Sequence, residues 1–187
     1  MTEFLGRLAG LAVMATLLTA CQTMNTVSLK NIKETEATRL NAQIYCTGTE
    51  NCEFERLDQI PVVAEKNHRL SRQAMRSKIV RLQADSLSDA NAVYLSVPPG
   101  QHEVVIRFYP VSKDKAEKLH VIHQFRPGRL YTFRMYRERT RHQGSLLSVS
   151  APDPLCVELR QQHKTIRRFC RPYNALTGLG EFVEKKL

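Results

Sequence analysis

No apolar run in this 187-residue chain is long enough to cross a membrane. The run near its start, Leu8 to Ala20, holds thirteen residues, whereas a helix rising about 1.5 Å per residue needs roughly 20 to traverse a hydrocarbon core of about 30 Å. Several motifs of catalysis are missing too. There is no G-x-S-x-G elbow, no Gly-rich phosphate loop and no H-E-x-x-H pair, which removes the motif-borne versions of hydrolase, nucleotide-binding and zinc-protease chemistry. Acidic residues are in deficit, 18 against 28 Lys and Arg, for a formal charge of +10. Those present are mostly interleaved with cations, as in "EFERLD" and "KDKAEK", and read as solvated ion pairs rather than a catalytic acid and base. The five cysteines include none of the short C-x(2-4)-C pairs of structural zinc sites.

What is present begins with "LLTACQTMN", Leu17 to Asn25. Arg7 precedes the apolar run, small residues close it, and Cys21 follows at once, which suits the h-region and cut site of a secretory signal over residues 1–20. Leu18, Thr19, Ala20 and Cys21 resemble the lipobox of bacterial lipoproteins. That resemblance implies a lipid on the Cys21 thiol and cleavage before it. With Gln22 rather than Asp next in line, it also implies delivery to the outer membrane, facing the periplasm, with several acyl chains for stable anchorage. The mature chain would keep 167 residues, enough for one cored domain. Its charge would stay at +10, because Arg7 and Glu3 leave together. Behind an export signal the anions on offer are lipid head groups, lipopolysaccharide, peptidoglycan and acidic partner proteins, not nucleic acid.

With Cys21 set aside, four cysteines remain, an even number that reads as two disulfides in an exported chain. Local pairing is expected, Cys46 with Cys52 around the turn formers Gly48 and Asn51, and Cys156 with Cys170 across a hairpin centred on His163. That hairpin register would set Val157 opposite Phe169.

Residues 21–40 are polar and lack a convincing period, so they read as a flexible tether holding the domain on average roughly 25 Å from its lipid. A single domain over 41–187 follows, in which period-2 alternation dominates. "NAQIYC" and "CEFERLDQIPVV" read as strands joined by the cysteine loop, "NAVYLSV" and "HEVVIRF" as strands joined by a type II turn at Pro99 and Gly100, and "LHVIHQF" and "RLYTFRMYR" as a pair joined around Pro127 and Gly128. "SLLSVS" and the cysteine hairpin come last. The basic stretch "NHRLSRQAMRSKIVRLQADSL" reads as an amphipathic helix or an excursion packed on the sheet, although "KIVRLQ" also alternates as a strand. Arg69, Arg72, Arg76, Lys78 and Arg81 would point to solvent or an anionic surface. The expected fold is a mainly β, antiparallel β-sandwich of about seven short strands with one basic helix and two disulfides.

"VPPGQHEVVIRF" followed by "FRPGRLYTFRM" resembles the core of PEGA-like β-sandwich modules of bacterial envelope proteins, over roughly Ala92 to Tyr136. The resemblance implies an attachment or interaction unit and carries no active-site residues. No catalytic residue, metal ligand or cofactor is assigned. His120 and His123, three apart on a strand, would point to opposite faces and could not chelate. Two cationic clusters stand out: Arg134, Arg137, Arg139 and Arg141, then Lys164, Arg167, Arg168 and Arg171. Arginine forks bind phosphate and carboxylate bidentately, so these eight residues are the expected anion-facing surface. The functional expectation is a non-enzymatic envelope lipoprotein that binds another envelope component or an anionic surface. A subunit of a trans-envelope secretion-type machine is the alternative, with a periplasmic hydrolase behind it.

Overall fold

The computed structural model describes residues 25–112, 114–139, 153–171 and 180–187. Among the described residues, eleven strands form a seven-stranded and a four-stranded sheet. The larger has the order β11-β10-β9-β8-β1-β5-β4, with β1 Ala42–Thr47, β4 Val80–Leu82, β5 Val93–Val97, β8 Leu130–Arg137, β9 Leu155–Gln161, β10 Lys164–Arg171 and β11 Val183–Lys185. The smaller runs β3-β2-β6-β7, with β2 Cys52–Leu57, β3 Ile60–Pro61, β6 Gly100–Ser112 and β7 Lys115–Phe125. The mainly β, disulfide-linked sandwich is therefore present, with more strands than the expected seven. One pairing departs from antiparallel order: β1 lies parallel to β8, in the register Ile44 with Tyr131 and Cys46 with Phe133.

The core lies between the sheets. Alternation delivers Ile44, Leu95, Tyr131, Phe133, Met135 and Leu159 from the larger sheet, and Phe54, Val104, Ile106, Phe108, Leu119 and Phe125 from the smaller, all at most 2% exposed. In β8 the odd positions from Tyr131 to Met135 are buried while Leu130 and Arg134 are exposed, the pattern of a strand packed on one face.

Three junctions that read as hairpins are crossings between the sheets. β1 and β2, β5 and β6, and β7 and β8 each join opposite sheets. Strand periodicity reports which residues turn inward but not which neighbour the strand pairs with, so a tight turn and a corner look alike in one dimension. At the Pro99 corner Gly100 sits at φ 153°, in place of the roughly +80° of the type II turn expected there. The hairpin partner of β6 is β7, in a register that sets Val104 opposite Val121 and His102 opposite His123, and β2 flanks it on the other side. The three expected strand pairs are therefore neighbours in sequence only.

Both disulfides form as expected. Cys46–Cys52 ties the end of β1 to the start of β2 and so stitches the two sheets together at their first corner, with Cα atoms 6.1 Å apart. Gly48 within that loop has φ 98°, and a Cβ there would lie 2.0 Å from the Met135 carbonyl oxygen. Cys156–Cys170 joins directly opposed residues of the β9–β10 hairpin, where Val157 faces Phe169.

Two expectations about the remaining segments change. The N-terminal part of the proposed tether is docked: residues 25–30 are helical, Leu29 is 3% exposed within the core cluster, and Ile32 packs against it. The basic stretch splits into a five-residue helix, α1 Arg72–Arg76, and strand β4. Ser71 caps α1 by accepting from the Ala74 amide at 3.0 Å, and its neighbour Arg69 with Arg72, Arg76 and Lys78 are exposed. Arg81 is not: it is 9% exposed and its guanidinium donates to the carbonyls of Lys78 and Val80. Cys21, Arg141 and the segment "SLLSVS" lie outside the described residues.

The first corner generates a stability prediction. Replacing Gly48 with Ala, which meets both the positive φ and the Met135 backbone, lowers unfolding free energy by about 2 kcal/mol or more. Replacing Cys46 and Cys52 together with Ala costs about 2 kcal/mol for so short a loop. Urea unfolding followed by circular dichroism reads both, and an unchanged midpoint for Gly48→Ala would refute the corner's tight packing.

Candidate functional site

Of the eight cations expected to share one anion-facing surface, the seven that lie among the described residues do not share one face. Arg134 and Arg168 oppose Glu158 across β9 on the outer face of the larger sheet, where Arg134 pairs with Glu158 at 3.3 Å and Arg168 approaches Glu138 at 3.8 Å. Arg167 and Arg171 lie on the opposite side of β10. Arg167 forms a two-pronged pair with Glu184 at 2.7 and 2.8 Å, donates to the Ile122 carbonyl at 2.6 Å and stacks on Phe169. Arg171 pairs with Glu117 of β7. These two arginines therefore bind the edge of the smaller sheet. Arg137 donates to the Asp153 carbonyl at 3.2 Å, while Arg139 and Lys164 are exposed. Much of this charge is engaged within the fold, which a count of arginines along the chain cannot reveal.

A different strip of cations is free of such partners. Lys66, Arg69, Arg72, Arg76 and Lys78 are all exposed, and none forms an ion pair with a described residue. They follow one another along the excursion that covers the outer face of the smaller sheet.

Beneath that excursion lies a cleft of about 540 Å³, lined mainly by apolar surface from Val63, Leu70, Leu87 and Val93. Its polar wall is built on Glu53 of β2. Glu53 accepts from the Arg107 guanidinium at 3.1 Å and the Tyr109 hydroxyl at 2.9 Å, and the His68 Nδ1 lies 3.0 Å from both of its oxygens. Arg107 is 1% exposed and also donates to the Val63 carbonyl at 3.0 Å, which fastens the excursion to the sheet. Burial, followed by the bond to Glu53, raises the Tyr109 pKa to about 12. The phenol therefore stays protonated at neutral pH. With Nδ1 held by a carboxylate, the His68 Nε2, which makes no hydrogen bond with a described residue, is the ring atom available for proton transfer or ligand contact.

Glu53, His68, Arg107 and Tyr109 were not among the expected site residues. The available signal was the arginine inside "VVIRFY", an unbroken run that denotes a strand covered on both faces. Val105, Arg107 and Tyr109 point away from the sandwich core yet are buried. A cation in that position requires a buried partner.

Other polar groupings are structural. His102 donates to Asp58 at 2.7 Å and lies 2.9 Å from the Pro98 carbonyl, while Asp58 accepts from the Glu103 amide at 2.8 Å, so this cluster clamps the Pro99 corner. Burial alone would raise the Asp58 pKa, but the His102 and Glu103 hydrogen bonds outweigh it and hold the carboxyl below its usual range. His120 is exposed and His123 turns inward against Phe125 and Tyr131, so the two occupy opposite faces of β7. Burial, then Arg167 and Arg126, lowers the His123 pKa. Glu138 lies against the sulfurs of Cys156 and Cys170, but both sulfurs are committed to the disulfide.

No family model, curated protein or solved structure matches this chain.

Arg107→Ala, which leaves Glu53 without its buried counter-charge, is expected to destabilise the fold by about 3 kcal/mol, and a double Arg107→Met, Glu53→Met variant should recover most of the loss. Urea midpoints decide this, and an equally unstable double variant would count against the ion-pair account. Asp58 yields a pH dependence. Because its folded pKa is lowered, its contribution is complete above the ordinary carboxylate range and disappears as pH falls through the folded value. Stability should therefore decline below about pH 4, and the decline should be shallower in Asp58→Asn.

Proposed function

We propose that the chain is a non-enzymatic lipoprotein of the bacterial envelope, anchored in the outer membrane by acyl chains on Cys21 and facing the periplasm, where its sandwich binds another envelope component. The observation that carries this reading is the use of the cysteines. Cys46, Cys52, Cys156 and Cys170 are all closed in disulfides, bonds that persist in oxidising compartments beyond the cytoplasm. Cys21 stands apart, directly after the apolar run and within the sequence Leu-Thr-Ala-Cys that resembles a lipobox. The likeness of Ala92 to Tyr136 to PEGA-like modules supports attachment rather than turnover.

One observation favours a second reading, periplasmic hydrolysis: the Glu53–His68 pair places an oriented imidazole in a cleft. Loss of a measurable hydrolytic activity towards envelope polymers in His68→Ala would support it.

Intact-mass measurement on the native protein tests the main reading. A chain beginning at Cys21, heavier by its acyl groups and lacking the mass of four further hydrogens, is the expected result. A Met1 start with free thiols would overturn it. Affinity purification from crosslinked cells then identifies the bound component, and recovery of inner-membrane proteins would instead assign the chain to a trans-envelope assembly.

A further inference from the structure

The docked N-terminal segment brings the proposed anchor close to the unpaired cations. Asn25 and Arg69 line the same cleft, and Asn25 is only four residues after Cys21. Four residues span at most about 14 Å even when fully extended. A free tether over residues 21–40 would have allowed the domain to stand well clear of the lipid, but burial of Thr26 and Leu29 removes that freedom. The potential of an anionic leaflet falls off over a Debye length of about 8 Å at physiological salt. A domain held so close stays within reach of that potential.

From this juxtaposition we infer that Lys66, Arg69, Arg72, Arg76 and Lys78 form a docking strip for the anionic phospholipid head groups of the leaflet that holds the anchor, so that the sandwich lies on its own membrane. The inference rests on the acylation of Cys21 proposed above. Five exposed cations fall within the thirteen residues 66–78, which contain no acid, and the acid just before them, Glu65, is itself paired with Lys118 at 3.2 Å. The β8 and β10 arginines make a poorer contact surface because Arg134, Arg167, Arg168 and Arg171 already have carboxylate partners. Short tethering raises the effective concentration of head groups around the strip, so a weak attraction per residue suffices. The acids lining the cleft, Glu50 and Asp89, belong to other loops, and the charge of Glu53 is compensated by Arg107.

Hydrogen exchange on the native full-length product, reconstituted separately in phosphatidylglycerol and phosphatidylcholine vesicles, tests the strip. Exchange over residues 64–78 should be several-fold slower on phosphatidylglycerol, and the difference should vanish near 1 M salt. It should also vanish in the Arg69→Glu, Arg72→Glu, Arg76→Glu, Lys78→Glu variant, whose anchorage is unaffected. If that variant does not fold, the salt series on the unaltered protein gives the same reading. Equal exchange on the two vesicles, or slowing confined to residues 164–171, would overturn the inference. The anchor is judged separately: flotation with phosphatidylcholine and an acyl mass establish it. Flotation with phosphatidylglycerol alone, together with slowed exchange over 64–78, would retain the strip while rejecting the lipid anchor.

Discussion

The arrangement of this protein depends on how the chain passes from one sheet to the other. Each strand can satisfy its backbone only by pairing, and each sheet can bury its apolar face only against the other. The chain therefore changes sheets at three short junctions where it cannot form a hairpin. The first is the most constrained, since a disulfide holds Cys46 to Cys52 while the missing side chain of Gly48 admits the Met135 carbonyl. The clamp of His102 and Asp58 performs a similar service at the Pro99 corner. Once those corners are made, β6 and β7 are free to form the long hairpin of the smaller sheet, and β8 can lie parallel to β1.

The outer face of the smaller sheet poses a second problem, because β6 is buried on both sides from Val104 to Tyr109. The excursion after β3 covers it and is fastened there through Arg107, which reaches both Glu53 and the Val63 carbonyl. A buried ion pair of this kind is weak evidence for added stability, since desolvation offsets much of the attraction. Its consequence is positional. It sets the floor of the cleft, orients His68, and carries the strip from Lys66 to Lys78 outward, where its charges pair with no carboxylate among the described residues.

Most of the strands, the inward residues of β8 and both disulfide pairings were legible in the sequence because each is encoded by local alternation or spacing. The Val157–Phe169 register followed from the hairpin alone. The ion-pair partners of the clustered arginines were hidden for a physical reason. Arg167 and Arg171 each lie one residue from Arg168 and Cys170 in a strand, and the pleat turns them towards carboxylates on β11 and β7 that are distant in sequence. The docking of residues 25–32 was likewise hidden, because two apolar contacts through Leu29 and Ile32 leave no period in a polar stretch.

The amino-acid order by itself determined the β character, the pairing of the cysteines, the basic balance and the export-like start, since these depend on composition and on neighbours a few residues apart. Only the tertiary structure decided which strands pair, which arginines remain free and where the cleft opens. Those outcomes arise from contacts between residues far apart in the chain, where solvent exclusion and charge pairing, rather than local preference, select the partner.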